Sequence, residues 1–254
     1  MFRHYRMPVD VHRTVNGNSA VIITVAAPKG GVGKTTLAYE LAAVFGAVLM
    51  DFDWDPGGAT AQWGARADAR VIAALEAEGS KPPRPRAARA RPRLLPNHPD
   101  LQLGGWRPEE VADRVEAWAS AWQSPVVVDT HPGIGELAYG AMAAAHVVAV
   151  PVLLQERELD AVAGMRKEFG AHYPLVLCPN RVPTVPPARQ LRRLRELAAG
   201  LPVAPPLGVY PWLARRARRS ALTLTAPSLR AKRAVGELQL IARFLEQVAS
   251  GRPG

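Results

Sequence analysis

Short apolar runs recur along the chain, and segments with a helical spacing of apolar residues separate them. Six of these runs have the length and composition of buried strands: residues 21–25, 47–50, 126–129, 147–150, 175–178 and 207–211. Helices are predicted between and after them, over residues 37–45, 61–78, 108–122 and 235–248. This alternation predicts an α/β fold with a doubly wound, mostly parallel sheet.

Length and composition are those of one large domain. The chain has 254 residues, of which 48% are hydrophobic, and we expect a single domain over residues 21–250. A polar, flexible lead-in is expected over residues 1–20, without a signal peptide or a helix-turn-helix domain. No apolar run approaches the about 18 residues of a membrane span. Because Cys178 is the single cysteine, the sequence excludes an internal disulfide and a multi-cysteine metal cluster, which fits a reducing cytoplasm.

The charge of the chain indicates an anionic partner. A net charge of +10 favours nucleic acid above all, although an arginine-rich composition without such a partner is the alternative. Residues 79–99 are rich in proline and arginine. Proline prevents a helix or a central strand there, and the arginines repel one another, so we expect a solvated surface loop within the domain. Contact of this loop with DNA phosphates is the second interpretation.

A glycine-rich segment connects the first predicted strand to the first predicted helix. In order, its residues are Lys29, Gly30, Gly31, Val32, Gly33, Lys34, Thr35 and Thr36. Glycines let successive backbone N–H groups surround phosphate oxygens, and the following helix N-terminus adds positive potential. Lys34 is placed to reach the β- and γ-phosphates, and the Thr35 hydroxyl to ligate Mg²⁺. The segment therefore predicts a nucleotide site.

Two departures from the standard phosphate loop identify a possible family. Pro28 stands where the standard loop has glycine, and Lys29 adds a second lysine. In this form the segment resembles the deviant Walker A box of the ParA/MinD superfamily of P-loop ATPases, and the resemblance extends over about residues 20–250. It implies that ATP and Mg²⁺ bind. It also implies that Lys29 reaches the nucleotide of a second subunit, so that Lys29 and Lys34 both serve catalysis.

Carboxylates follow the second predicted strand, at the edge where open parallel sheets bind ligands. Asp51 and Asp53 resemble the superfamily's D-x-D-P-Q-G box, which implies that Asp51 lies near Mg²⁺ and that Asp53 orients the attacking water. Aligning backwards from Pro56 would make Asp53 and Asp55 the pair. That alignment would bury Asp51 inside the strand, which is costly without a partner. Both alignments remain open, as does a plain turn with solvated carboxylates.

A second carboxylate box follows the strand at residues 126–129. Three valines and then Asp129 have the arrangement of a Walker B strand, which delivers a carboxylate to the magnesium site with Thr35. The superfamily's usual D-T-P-P-G is present except that His131 replaces the first proline. Because hydrolysis in this superfamily uses no histidine base, we expect His131 to be a tolerated loop substitution. Residues 153–158 are expected to form the switch that senses the γ-phosphate.

A candidate adenine site comes from the last third of the chain. Asn180 ends the strand predicted at residues 175–178, and the superfamily commonly uses an asparagine there to bind the adenine edge. An amide offers one donor and one acceptor side by side, which matches adenine. Arg181 follows it, and Tyr210 and Pro211 are expected to close over the base. A turn-forming asparagine beside Pro179 is the alternative.

Basic residues concentrate in the same third of the chain. The predicted DNA-binding residues are Arg192, Arg193, Arg215, Arg216, Arg218, Arg219, Lys232 and Arg233. Such side chains bind phosphates without reading sequence, and the resemblance implies non-specific DNA binding by the ATP-bound dimer. A solvated arginine face is the alternative.

Taken together, the resemblance implies a plasmid- or chromosome-partitioning ATPase of the small ParA class. It implies a homodimer on ATP binding, non-specific DNA binding, stimulation of slow hydrolysis by a ParB-type centromere-binding protein, and a cytoplasmic, nucleoid-associated location. The alternatives are a MinD-like positioning ATPase at a membrane and an ATPase that positions a non-DNA cargo. Because the polar face of the predicted final helix is not basic, we expect that helix to pack on the sheet rather than to bind a membrane.

Overall fold

A computed structural model describes residues 20–77, 79, 81–214, 220–225 and 228–251. Within these residues, six parallel strands form one sheet in the order β3-β2-β4-β1-β5-β6. The strands are β1 (Ile22–Val25), β2 (Val48–Phe52), β3 (Arg93–Leu95), β4 (Val126–Thr130), β5 (Val147–Val152) and β6 (Leu175–Pro179). The predicted doubly wound, parallel α/β fold is confirmed.

Helices connect the strands and cover both faces of the sheet. They are α1 (Lys34–Val44), α2 (Ala59–Trp63), α3 (Arg70–Glu76), α4 (Pro108–Trp122), α5 (Glu136–Ala144), α6 (Glu156–Phe169), α7 (Ala188–Leu197), α8 (Pro211–Ala214) and α9 (Lys232–Ala249). A 3-10 helix, Pro99–Leu103, precedes α4. Proline at the first position of α4 and two glutamates in its first turn favour a helix start there.

The register of the central strands brings the polar strand ends together. In the β2–β4 pair, Asp51 lies opposite Asp129, and in the β1–β4 pair Val25 lies opposite the same Asp129. Because all strands are parallel, the phosphate loop after β1 and both aspartates lie at one edge of the sheet. The fold therefore assembles the predicted site from segments that are far apart in sequence.

Side chains alternate between two buried faces. On one face, Ile23 and Val25 pack with residues of α1 and α9. On the other face, Ile22 packs with α4 and α5, and Val150 packs with α6 and α7. The strands are apolar on both sides because helices cover both sides of the sheet.

Helix α9 has its apolar stripe inside the molecule. Ala234, Leu238, Ile241, Ala242 and Leu245 are each at most 1% exposed and belong to the core shared with α1. The predicted packing of the final helix on the sheet is confirmed. None of the helices in the described part of the chain combines the length and apolar composition of a membrane span.

Two predicted elements are wrong. The single helix expected over residues 61–78 is broken, because α2 ends at Trp63, Gly64 adopts a φ of 80°, and α3 begins only at Arg70. Trp63 is buried and donates from Nε1 to the Pro92 carbonyl at 2.8 Å, which holds the end of α2 against the β3 segment. The strand expected at residues 207–211 is reduced to one isolated bridge, between Val182 and Gly208.

The proline- and arginine-rich segment is less solvated than expected. Arg86 pairs with Asp68, and Arg91 donates to the Trp63 carbonyl at 2.7 Å with its guanidinium 5.0 Å from the Trp63 ring. Arg93 donates to the Gly46 carbonyl at 3.0 Å. These contacts hold the segment against the end of α2, the residues between α2 and α3, and the turn before β2, so three of its arginines stabilise the fold.

Candidate functional site

The phosphate loop lies between β1 and α1 with an open helix N-terminus. Gly31 and Gly33 adopt φ angles of 77° and 94°, which residues with a Cβ rarely adopt. Helix α1 has Gly33 as its N-cap, no side-chain capping bond and no acidic residue in its first turn. No capping side chain and no acidic residue of this turn occupies its first backbone N–H groups, which favours binding of an anion.

Lys34 lies below the loop among the carboxylates. Lys34 is only 5% exposed. Burial lowers the pKa of its amine, while the charges of Asp129 and Asp53 raise it. The Lys34 amine is thus placed to make a charge-assisted hydrogen bond with a phosphate that enters the loop. Among the described residues, this is the lysine that the fold directs into the site.

Asp51 lies inside β2 and has partners there. Its Oδ2 accepts from the Thr60 backbone N–H at 2.6 Å, and its Oδ1 accepts from the Asp53 N–H at 3.1 Å. Burial raises the pKa of Asp51 to about 7 in spite of these hydrogen bonds. From the sequence, burial of Asp51 inside the strand is expected to be costly without a partner. The structure buries Asp51 in β2 and supplies backbone donors that compensate the cost, so this cost does not decide between the two alignments.

Asp129 is the unsatisfied group of the site. It is 0% exposed, and neither carboxylate oxygen has a hydrogen-bond partner among the described residues. Burial raises the pKa of Asp129 well above its usual range, and the nearby charge of Asp51 adds to the rise. The nearby charge of Lys34 favours its charged form. Unpaired carboxylate oxygens next to a hydroxyl are ligands that Mg²⁺ accepts, so the residues present fit that ion.

The geometry distinguishes Asp53 from Asp55. Asp53 is 7% exposed and close enough to Lys34 and Asp129 to affect their pKa values. The Asp55 side chain is 58% exposed, and its carboxylate lies 3.3 Å from His131 Nε2. Asp53, Asp55 and His131 bring ligand atoms within 4.8 Å of one another, and the direct contact between Asp55 and His131 accounts for that arrangement. Asp53 is thus the better candidate for orienting water.

Asn97 is a site residue that the sequence analysis missed. It lies two residues after β3, its side-chain amide donates to the Asp53 carbonyl, and its backbone N–H donates to the Thr60 hydroxyl at 2.8 Å. These bonds hold the segment that carries Asp53 against the sheet edge. The available signal was a polar residue just beyond a short apolar run.

Lys29 contacts the start of helix α6. Its amine donates to the Arg157 carbonyl, in the first turn of α6, at 2.9 Å. That turn follows directly on residues 153–155 of the predicted switch. The role of Lys29 across a dimer interface remains a prediction, and it requires this bond to open.

The predicted adenine residues are engaged with protein groups. Asn180 donates to the Val32 carbonyl of the phosphate loop at 2.7 Å and accepts from the Arg181 N–H at 2.9 Å. Tyr210 donates from its hydroxyl to Glu237 at 2.8 Å, and Pro211 begins α8. Recognition of adenine by these residues stays a prediction. Glu237 was missed because only the fold brings α9 beside residue 210.

The predicted DNA-binding residues are divided by the fold. Arg193 forms ion pairs with Glu156 and Asp160, and Arg233 pairs with Glu237 at 2.9 Å. Arg192 on α7 and Lys232 on α9 are exposed, but the two helices cover opposite faces of the sheet. The remaining predicted residues, Arg215, Arg216, Arg218 and Arg219, lie outside the described residues.

Comparison of the sequence with known proteins identifies one partial relative. The chain is 36% identical over 156 residues to the chromosome-partitioning ATPase Soj of Thermus thermophilus. The match covers 56% of this chain and 59% of Soj, so it spans about three-fifths of that relative's length. No family model matches the chain.

Solved structures match over nearly the whole chain. The ATP complex of Cyanothece McdA(D38A) superposes with a TM-score of 0.69 at 14% identity, covering 94% of this chain and 99% of McdA. The cell division protein MinD of Aquifex aeolicus gives a TM-score of 0.67 at 18% identity, with 89% and 97% covered. At these identities, the likeness establishes the shared fold.

Proposed function

We propose that this chain, a ParA/MinD-superfamily protein by its fold and by its likeness to Soj, is an ATP-dependent partitioning ATPase. Two copies would enclose ATP and Mg²⁺ between them, and the resulting dimer would bind DNA without sequence preference. A ParB-type centromere-binding protein would stimulate slow hydrolysis and thereby release the DNA. Because the match to Soj is partial, each of these steps is inferred for this chain.

One observation carries the proposal. The buried Asp129 carboxylate, without a hydrogen-bond partner among the described residues, lies at the sheet edge that also carries the phosphate loop and Lys34. Leaving such a group unpaired costs free energy unless a ligand satisfies it. A magnesium ion with a bound triphosphate supplies positive charge for Asp129 and negative charge for Lys34.

The residues of the site divide the chemistry between them. Mg²⁺, when bound, neutralises negative charge on the β- and γ-phosphate oxygens, and Thr35 and Asp129 would hold it, with Asp51 beside them. The loop N–H groups and Lys34 bind the phosphates. Asp53 holds the attacking water, and its position is maintained by Asn97. In the dimer, Lys29 would add a second cation from the other subunit, where negative charge builds up during transfer.

Binding to DNA is supported by charge and exposure. The chain carries a net charge of +10, and Arg192 and Arg195 are exposed on α7 without an ion pair among the described residues. Phosphate contacts by such arginines give affinity that does not depend on sequence. The basic group at residues 215–219 adds to this expectation from the sequence alone.

The alternative is a positioning ATPase that acts at a membrane or on a cargo other than DNA. The TM-scores of 0.67 with MinD and 0.69 with McdA favour this alternative as much as they favour the proposal. The buried apolar stripe of α9 disfavours membrane binding by that helix, because the residues that would enter a bilayer already form the core.

Retention of DNA with different nucleotides tests the proposal. We expect the wild-type protein to shift DNA in a gel with ATP and Mg²⁺ but not with ADP, and Lys34→Ala to shift it with neither. Lys167→Ala, an exposed lysine on α6, is the matched control and should behave as wild type. Equal binding with ATP and ADP would contradict the proposal. Co-sedimentation with liposomes in ATP, without DNA binding, would favour the membrane alternative.

A further inference from the structure

Asn180 connects the end of β6 to the phosphate loop. Its side-chain Nδ2 donates to the Val32 carbonyl at 2.7 Å, although 148 residues separate the two positions. Asn180 is 6% exposed and Val32 is 4% exposed, so water cannot easily replace this bond. A buried donor or acceptor that lost its partner here would remain unsatisfied.

The amide of Asn180 has one orientation available. Its Oδ1 accepts from the Arg181 N–H at 2.9 Å, and its own backbone N–H donates to the Val152 carbonyl at 2.8 Å. With the oxygen used in this way, the NH₂ group faces the Val32 carbonyl, which is an acceptor and can only pair with a donor. The bonds with Val152 and Arg181 therefore fix Asn180 at the end of β6, independently of its contact with the loop.

The same amide lies close to Gly33. A Cβ built on Gly33 would lie 2.5 Å from Asn180 Nδ2, closer than real Cβ atoms approach a neighbour. Gly33 also has a φ of 94°, and it precedes Lys34, the first residue of α1. The loop thus turns into the helix in direct contact with Asn180.

Anchoring the Val32 carbonyl determines the direction of a phosphate donor. In a planar trans peptide, the C=O of one residue and the N–H of the next point in opposite directions. Holding the Val32 C=O toward Asn180 therefore turns the Gly33 N–H away from Asn180. This N–H is one of the successive loop donors that a bound anion requires.

We propose that Asn180 is a positioning residue for the phosphate loop. It holds the Val32–Gly33 peptide so that the loop donors are set for a triphosphate before the nucleotide arrives. This inference rests on the proposed nucleotide-binding function of the site. It predicts that Asn180 contributes to binding even where the ligand has no base.

Binding of three ligands separates positioning of the loop from contact with the base. Asn180→Leu keeps a similar volume and removes the donor, so it should weaken the binding of inorganic tripolyphosphate, which has no base, about three- to ten-fold for one buried hydrogen bond, and the binding of ATP and GTP by at least that factor. Gln247→Leu, which also replaces an amide by leucine but at an exposed position of α9, is the control and should alter none of the three affinities. Isothermal titration calorimetry measures each affinity. Unchanged binding of tripolyphosphate would overturn the proposal, whatever the effect on ATP.

Amide hydrogen exchange tests the inference without nucleotide. In the nucleotide-free protein, Asn180→Leu and the smaller Asn180→Ala should speed exchange across residues 30–34 about three- to ten-fold, while exchange in β1 and α4 stays unchanged. Exchange in the loop equal to wild type, in variants with unchanged circular dichroism, would overturn the proposal. If the wild-type protein bound no triphosphate, the proposed function would fail while this measurement still decided the role of Asn180.

Discussion

The indole ring of Trp54 lies flat against the imidazole ring of His131, with ring centroids 3.9 Å apart and an angle of 8° between the planes. His131 stands where the superfamily that this sequence resembles has a proline. Its Nε2 also lies 3.3 Å from the Asp55 carboxylate. The stack joins the loop after β2 to the loop after β4, and Asp53 directly precedes Trp54 in the first of these loops. A residue expected to be a tolerated substitution therefore connects the loops that follow the two strands with buried aspartates.

This stack should contribute measurably to stability. Aromatic pairs are worth about 0.5–1.5 kcal/mol beyond their buried area, so Trp54→Leu and His131→Leu should show a coupling energy of that size. Urea unfolding of the wild type, the two single variants and the double variant gives the four free energies of a double-mutant cycle, from which the coupling energy follows. Additive effects, within about 0.3 kcal/mol, would mean that the two rings contact each other without stabilising the loops.

Two helical glycines should respond in opposite directions to the same substitution. At Gly140 in α5, an added Cβ would lie 2.5 Å from Val111 Cβ and 2.6 Å from the Pro108 carbonyl, so Gly140→Ala should cost about 1–3 kcal/mol by overpacking the α4–α5 contact. At Gly164 in α6, an added Cβ would meet no atom of the described residues within 4 Å apart from the backbone of its own helix, so Gly164→Ala should stabilise by about 0.5–1 kcal/mol through helix propensity. Thermal unfolding compares the two. Equal stability of both variants would show that the α4–α5 contact has more room than the structure gives it.

Asp68 should make part of the stability sensitive to acid. Hydrogen bonds from Arg70, and a further one from Arg86, hold the pKa of Asp68 well below its usual range. Because the folded-state pKa lies below the unfolded value of about 3.9, this contribution is complete above that value and is lost as the pH falls below it.

Asp68→Asn should therefore lower the free energy of unfolding at pH 7, by roughly 1 kcal/mol since Arg70 is largely exposed and screened. The difference from wild type should shrink between about pH 4 and pH 3. Urea unfolding of both proteins at about pH 7 and about pH 3 measures this difference in the free energy of unfolding. Asp113→Asn, at an exposed position of α4, is the control and should show no such trend. A constant difference at all pH values would argue against the ion pairs as its source.

Adjacent arginines on α7 should differ in their effect on DNA binding. Arg192 is exposed without an ion pair among the described residues, whereas Arg193 is bound to Glu156 and Asp160. Arg192→Ala should weaken DNA binding uniformly across sequences and reduce the salt slope by about 1. Arg193→Ala should leave the slope nearly unchanged, because its charge is already paired. Fluorescence anisotropy at several salt concentrations gives both slopes, and a slope equal to that of the wild type for Arg192→Ala would contradict DNA contact by Arg192.

The sequence predicted the centre of this fold better than its edges. β1, the phosphate loop, α1 and the strand before Asp129 are local patterns, because continuous apolar runs and glycine turns determine them without help from distant residues. The same holds for α4, whose proline and glutamates mark its start. The sequence also placed the candidate Mg²⁺ ligands at one edge of the sheet, because parallel strands end together.

Long-range contacts explain what the sequence could not predict. The break after Trp63 depends on its bond to Pro92, and the satisfied burial of Asp51 depends on the backbone of Thr60. Asn97 reaches Asp53, and Glu237 reaches Tyr210, only because the fold brings their elements together. Local propensity does not depend on such distant partners, so the sequence alone did not predict these roles.

The ATP-dependent mass of the protein tests the account most directly. One chain has a mass of 27.4 kDa, and light scattering after size exclusion should give twice that mass with ATP and Mg²⁺ but the single mass with ADP. Lys29→Ala should keep the single mass under both conditions while still binding ATP, because it removes the amine that would cross to the second subunit. A wild-type protein that stays at 27.4 kDa with ATP, or a Lys29→Ala variant that doubles its mass as wild type does, would contradict the account.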